Sequence, residues 1–370
     1  MKSTTALMRL LLSTLLVGLL SACNNATADF RAELVTDGVR SPWGVAWLPS
    51  GDMLITSRRG EFYRLTAHGK LQAIAGLPEV DVNGQGGLLD VAVHPDYADN
   101  GWIYLSYSSP AGEGRGSNTA VLRGRLQDKT LVDSKVLYKG EPNSGRGQHY
   151  GSRIVLDGKG HLYFSIGDRG ARDENPQDLS KDGGKIYRLT DDGQVPDDNP
   201  FVVQKNALPA IYSLGHRNPQ GMALNPKTGE LWLHEHGPRG GDEINIVKAG
   251  ANYGWPILSY GVNYSGTRFA EGQTREGYES PIHYWVPSIA PSGMTFVTSE
   301  HYPEWQGHLL VGSLKFGYVV LCRLDGDRVV RTEQVLEGIG RVRDIKQGPT
   351  GLIYVVTENN GIFRIPSRKG

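Results

Sequence analysis

Two cysteines in 370 residues, Cys23 and Cys322, are too few for a disulfide framework. Excess charge of either sign is missing as well. Lys and Arg (39) balance Asp and Glu (39), so the basic footprint of a nucleic-acid binder is absent. After residue 22 no apolar run is long enough to cross a membrane as a helix. Walker and Rossmann glycine patterns are lacking too. Gly145-Arg-Gly-Gln-His-Tyr-Gly has the wrong spacing and no helix after it, which argues against a nucleotide. What the chain has in plenty is turn chemistry: 49 glycines and 20 prolines, without a collagen period. A chain that reverses this often is not a helical bundle.

Residues 1–22 stand apart. Lys2 and Arg9 precede a short apolar run ending at Leu20, then Ser21-Ala22-Cys23, which reads as a secretory signal. Leu20-Ser21-Ala22-Cys23 also resembles the bacterial lipobox, in which the cysteine is acylated after cleavage. Asn24 beside it is similar to lipoproteins sent to the outer membrane. Residues 23–35 are then the acylated cysteine and a tether, and residues 36–370 a single domain held by a lipid anchor and expected to face the periplasm. With Cys23 acylated, Cys322 has no partner and reads as a small buried apolar residue.

One pattern repeats through the rest: a small hydrophobic run, a polar turn with Gly or Asp, then an alternating β-rich run. It starts near residues 43, 89, 152, 221, 293 and 343, as in Trp43-Gly-Val-Ala-Trp-Leu-Pro-Ser-Gly-Asp-Met-Leu-Ile-Thr. Alternation on both sides of a turn marks an antiparallel hairpin. A hairpin recurring every 40–70 residues or so, with further strands between copies, describes propeller blades. The fold expected is all-β: a six-bladed β-propeller of four-stranded antiparallel blades around a central channel. The uneven spacing puts extra length into loops on one face.

Polar clusters recur at one end of the copies: Gly84-Gln85, Gly147-Gln148-His149, Gly215-His216-Arg217-Asn218 and Gly340-Arg341-Val-Arg343. Recurrence in register points to a site at the channel mouth. Arg217, Lys315, Arg341 and Arg343 would converge there, and like charges gather only around an anion. The implied ligand carries several carboxylates or phosphates, for which Arg is suited. His149 is the candidate general base, since imidazole titrates near neutral pH. His234 and His236 lack an obvious third ligand for zinc, whereas the carbonyls of Gly237 and Pro238 suit a hard cation such as Ca²⁺.

In order along residues 40–365, Gly-Gln85-Gly-Gly-Leu, Gln148-His149, Ile166-Gly-Asp168, Gly-His-Arg217-Asn218-Pro, Glu235-His-Gly-Pro238, Asn252-Tyr-Gly-Trp-Pro, Ser313-Leu-Lys315 and Arg341-Val-Arg343-Asp resemble the soluble quinoprotein glucose/aldose sugar dehydrogenases. The resemblance implies a propeller holding pyrroloquinoline quinone (PQQ), a tricarboxylate, over Ca²⁺. Lys315, Arg341 and Arg343 would bind the carboxylates and Gln85 would contact the cofactor. Arg217 and Asn218 would lie at the quinone oxygens, Arg217 serving catalysis as well as binding. Gly237 and Pro238 would hold Ca²⁺, and a further Ca²⁺ would fall near Tyr253. His149 would take the proton of an aldose C1 hydroxyl, and an external acceptor (quinone, cytochrome or dye) would receive the electrons.

Two departures bear on specificity. The glucose-type members have Asp before the catalytic histidine, where this chain has Gln148. They have Gln after Ile-Gly-Asp, where this chain has Arg169. A broad aldose range is therefore expected in place of glucose specificity. The alternatives are a propeller lactonase, needing a metal held by Glu, Asn and Asp side chains, and a non-catalytic surface protein. The latter would bind sugar or a partner through Trp255, Tyr260 and Tyr264.

Overall fold

The computed structural model describes residues 31–367. The expected signal peptide and Cys23 lie outside the described residues. Six four-stranded antiparallel sheets form the ring, and the one α-helix among the described residues is the single turn Tyr97–Asn100. Each of the six repeats becomes the first two strands of a blade. Their opening strands are Pro42–Trp47, Leu88–Val93, Ile154–Leu156, Pro219–Leu224, Pro291–Phe296 and Val342–Gln347. These strands contact their counterparts in neighbouring blades, and Pro42–Trp47 meets Val342–Gln347 to close the circle.

The last blade holds three strands from the C-terminal end and a fourth, Glu33–Thr36, which pairs with Gly361–Ile365. That strand begins three residues before the boundary expected at residue 36. Sheets stack face to face, so inner strands are apolar on both sides. All of Met53–Ser57 is buried, and Leu54, Phe62, Leu88, Val91, Ile103 and Leu105 form one cluster between the first two blades. Cys322 is fully buried in the packing between later blades, as a small apolar residue would be.

One position in, or for Arg153 just before, each opening strand faces the channel: Gly44, Asp90, Arg153, Gly221, Gly293 and Asp344. Asp90 and Asp344 fill the space that Gly44 and Gly293 leave, and the His234 ring fills that beside Gly221. A Cβ on Gly44 would stand 2.7 Å from an Asp90 oxygen, and one on Gly293 2.5 Å from the Asp344 backbone. Arg153 is 1% exposed and bridges Asp90 at 3.3 Å and Asp344 at 3.0 Å. It also donates to the carbonyls of Gln220 and Arg343 and stacks over Trp43 at 4.2 Å. A charged plug thus fills the middle of the ring, and the layer one residue earlier (Trp43, Leu89, Gln220, Arg343) lines a cavity against it.

Candidate active site at the channel mouth

The cavity measures about 280 Å³. Trp43, Leu89 and Tyr150 supply flat or apolar walls, and Arg58, Arg341 and Arg343 supply charge. Glu358, which sequence reasoning missed, sits between two of these cations. Its Oε2 accepts from Arg341 Nε at 2.8 Å, and its Oε1 accepts from Arg343 Nε at 3.2 Å and from Arg343 Nη2. Burial would raise the Glu358 carboxyl, but the two arginines outweigh it and hold its pKa at about 2. Arg343 is further fixed by Gln220 Oε1 at 2.9 Å and Ser292 Oγ at 3.3 Å. An excess of cation over acid remains, because among the described residues Arg58 pairs with no carboxylate and donates to the Gly84 carbonyl.

The other expected cations are placed differently. Lys315 lies exposed on the turn after Ser313, with Nζ 4.8 Å from the Phe316 ring, and its neighbour Leu314 lines the cavity instead. Arg217 is buried in the adjoining pocket beside Trp255, where it donates to the His236 carbonyl at 3.0 Å. Asn218 lines the main cavity and accepts from the Gly151 amide at 3.1 Å. Gln85 joins two blades there: its Oε1 accepts from the His149 backbone N–H at 2.8 Å, and its own backbone N–H donates to the Gly147 carbonyl at 2.8 Å.

His149 stands at the cavity's edge, next to the lining residues Tyr150 and Gly151. Its Nδ1 lies 2.7 Å from Asp168 Oδ1, and the second Asp168 oxygen accepts from Trp255 Nε1 at 2.9 Å. The Asp168 side chain is 1% exposed. Burial alone would raise its pKa, but the His149 hydrogen bond, the charges of His149 and Arg217 and the Gly170 amide bring it below the ordinary value. An ionised carboxylate only accepts, so Nδ1 carries the proton and Nε2 keeps its lone pair. The His149 pKa is lowered by burial, with Arg217 and Arg169 adding to the effect and Asp168 opposing it. The ring is therefore neutral at neutral pH and ready to accept a proton at Nε2.

The two other histidines of the region are occupied. His234 and His236 each lie within hydrogen-bond distance of a backbone carbonyl, Gly293 at 3.1 Å and Pro291 at 2.8 Å. A carbonyl only accepts, so both Nε2 atoms donate. At Gly237 a Cβ would stand 2.2 Å from the Gly241 carbonyl oxygen and 2.5 Å from that of Gly240, so oxygens crowd this turn. The Pro238 carbonyl accepts from Ser288 at 3.3 Å. Tyr253 lines the pocket that Gly237 also borders, together with Glu235 and Glu243. Its hydroxyl is engaged with the Ile246 carbonyl and the Lys248 amide. Burial and the neighbouring Glu235 push the Glu243 carboxyl up to about 8. Among the described residues no three His, Cys, Asp or Glu side chains are grouped to hold a metal.

The long loops that made the repeat spacing uneven carry much of this. Asp168 and Arg169 open the stretch 167–184, and Tyr253 and Trp255 lie in 247–282. Trp255 is 7% exposed and committed to Asp168, so it does not form an open aromatic platform with Tyr260 and Tyr264.

A family model described as Glucose / Sorbosone dehydrogenase matches residues 39–364. The chain is 44% identical over 352 residues to the aldose sugar dehydrogenase YliI of Escherichia coli strain K12, covering 93% of this chain and 94% of that one. Among solved structures, the apo form of the soluble aldose sugar dehydrogenase of Escherichia coli superposes with a TM-score of 0.87 at 42% identity, over 91% of this chain and 99% of the other. The PQQ-bound aldose sugar dehydrogenase of Streptomyces coelicolor gives a TM-score of 0.75 at 28% identity, over 92% and 98%.

Proposed function

The chain belongs to the Glucose / Sorbosone dehydrogenase family and is a sugar dehydrogenase, and from that premise we propose that it oxidises aldoses at C1 to the lactone with PQQ and Ca²⁺, His149 acting as base. The observation that carries this reading is the chain Trp255–Asp168–His149 ending beside a cavity rich in arginine. The cavity suits a ligand with several carboxylates. Arg58, Arg341 and Arg343 face one acid, Gln85, Gln220 and Asn218 add neutral polar groups, and Trp43 and Tyr150 offer flat walls. Lys315 would reach in from the rim. The oxygen-rich turn at Gly237 and Pro238 suits Ca²⁺, a cation that prefers oxygen donors, and Glu243 with the Tyr253 backbone would serve a second ion.

When bound, PQQ supplies the two-electron acceptor for the hydrogen on C1, and Ca²⁺ polarises it as a Lewis acid. The protein does the rest. His149 Nε2 takes the C1 hydroxyl proton, and Asp168 stabilises the imidazolium that results. Arg217, next to Trp255, offers positive charge where negative charge develops. Leu89, Leu314 and Trp43 keep water from the reacting carbon. An external quinone, cytochrome or dye then takes up the electrons. Residues 1–22 and Cys23 we read as an export signal and lipid anchor to the outer membrane, testable by mass spectrometry of the N-terminal peptide.

The test uses chain from residue 24 prepared without cofactor, with PQQ and Ca²⁺ added and dye reduction followed over a panel of aldoses. Reduction dependent on both additions, and abolished in His149→Gln while PQQ still binds, is the expected result. A folded protein silent across the panel would overturn the reading.

A further inference from the structure

Building on the proposed role of His149 as base, we infer that Arg169 is a positioning residue: from beneath the Gln148–His149 peptide it fixes the backbone that aims the imidazole, and it does not touch the sugar. The sequence comparison linked Arg169 to sugar preference, because glucose-type members have Gln at this place. Its surroundings lead elsewhere. Arg169 is 1% exposed, rare for an arginine without a structural task. Its guanidinium lies 3.4 Å from the centre of the Tyr150 ring. One arm donates to the Gln148 carbonyl and the other to the Ser117 carbonyl at 3.1 Å. Tyr150 and Ser117 are themselves joined through their hydroxyls at 2.8 Å.

The peptide held in this way needs holding. His149 has φ +54°, a left-handed conformation that a residue with a side chain adopts only where its surroundings impose it. The carbonyl of the Gln148–His149 peptide points to Arg169, while its N–H points to Gln85 Oε1 at 2.8 Å. Both poles of one peptide plane are gripped, and its rotation is stopped. Consecutive residues divide the work: the Asp168 carboxylate takes the imidazole and the Arg169 guanidinium takes the main chain. Only a planar fork reaches two carbonyls while stacking on a ring; an ammonium cannot do both. Asp168, Arg217 and Arg169 are the charged groups facing the imidazole, so losing Arg169 also removes one cation that disfavours its protonation.

The experiment compares wild type with Arg169→Met and Arg169→Lys, the latter retaining charge if the former does not fold. Two readouts are used. The first is kcat and KM of the PQQ- and Ca²⁺-loaded enzyme for several aldoses. The second is NMR titration of the His149 imidazole in cofactor-free protein, assigned by the peak missing in His149→Gln. Both variants should lose about 10–100-fold in kcat for every aldose alike, as a displaced base does, with KM within about twofold. The His149 pKa should rise in Arg169→Met and stay near wild type in Arg169→Lys. KM changes that differ from sugar to sugar at unchanged kcat would overturn the proposal, as would an imidazole signal indifferent to both variants. Wild-type enzyme silent with every aldose would sink the dehydrogenase reading instead, and the His149 ring chemical shifts in cofactor-free protein, displaced in both variants if the backbone has turned and unmoved in Arg169→Lys if only charge matters, would still decide the positioning.

Discussion

Replacing Asp168 with asparagine keeps the size of the side chain but removes its charge and one acceptor. The structure puts three donors on this carboxylate: His149 Nδ1 and the Gly170 amide on one oxygen, both at 2.7 Å, and Trp255 Nε1 on the other at 2.9 Å. An amide has a single acceptor oxygen. Turned toward His149, it sets its NH₂ against the Trp255 N–H. Turned toward Trp255, it sets NH₂ against the Gly170 amide and forces the His149 proton onto Nε2, where the proposed base would need its lone pair. Each bond lost to a charged acceptor is worth about 1.5–3 kcal/mol. Two such losses correspond to a fall in kcat of about 10²–10⁴ at 1.36 kcal/mol per decade. KM and PQQ affinity should stay within about threefold, since Asp168 meets neither ligand in the proposed arrangement. The Asp168 charge raises the His149 pKa, so its removal should also move the acid limb of kcat to lower pH. A series of initial rates from pH 5 to 8 reads both effects. A variant keeping more than about a tenth of wild-type kcat, or an acid limb displaced upward, would refute the reasoning.

Trp255→Phe removes one donor from the same carboxylate, and kcat should fall by about tenfold with the fold intact; a change below twofold would mean that Trp255 is only a wall. Arg153→Met strands Asp90 and Asp344, both fully buried, opposite each other. Urea unfolding at pH 7 should show a loss of about 3–5 kcal/mol, and a loss under about 1 would assign the plug no structural weight. His234 is fully buried and burial lowers its pKa to about 3, whereas the unfolded chain takes the proton near 6.5. The unfolded state then binds more protons below pH 6.5, so this residue's contribution is full above that pH and declines as pH falls. The stability advantage of wild type over His234→Asn should shrink by about 2 kcal/mol between pH 7 and 5, and a constant gap would contradict it.

The hairpins were legible because alternation around a turn is local. The outer strands were not: Lys185–Thr190 and Asp242–Ile246 are separated from the next strands or from their predecessors by long loops. Glu33–Thr36, short and half-exposed, looks like tether until its partner Gly361–Ile365 is known. The same limit shaped the site. Residues at four of the six opening strands carried a visible Gly-flanked signature, and Gln85, Arg341 and Arg343 do line the cavity, with His149 at its edge. Arg58 and Glu358 sit at the end of the second strand in their blades, where no signature marks them. Their meaning comes from neighbours distant in sequence, Gly84 for Arg58 and Arg341 and Arg343 for Glu358. Without Glu358, converging cations demand a foreign anion outright; with it, part of that demand is met within the fold. Arg169 shows the reverse case, a residue flagged by comparison whose side chain turns away from the mouth.

The Arg153 plug closes the chamber on its inner side. Asp90, Arg153 and Asp344 are shut off from solvent at the middle of the ring, so nothing passes through from the far side. In the proposed reaction, sugar, lactone and electron acceptor would then share the mouth side of the ring and use it in turn. On the proposed reaction an acceptor could not dock while lactone occupied the mouth, so the order of events would be imposed by architecture before any rate constant is considered. Double-reciprocal plots at several acceptor concentrations should run parallel, and lactone should inhibit by competing with the acceptor. Bulky acceptors would suffer most from a long-lived product, which ties the choice of redox partner to how quickly the mouth clears.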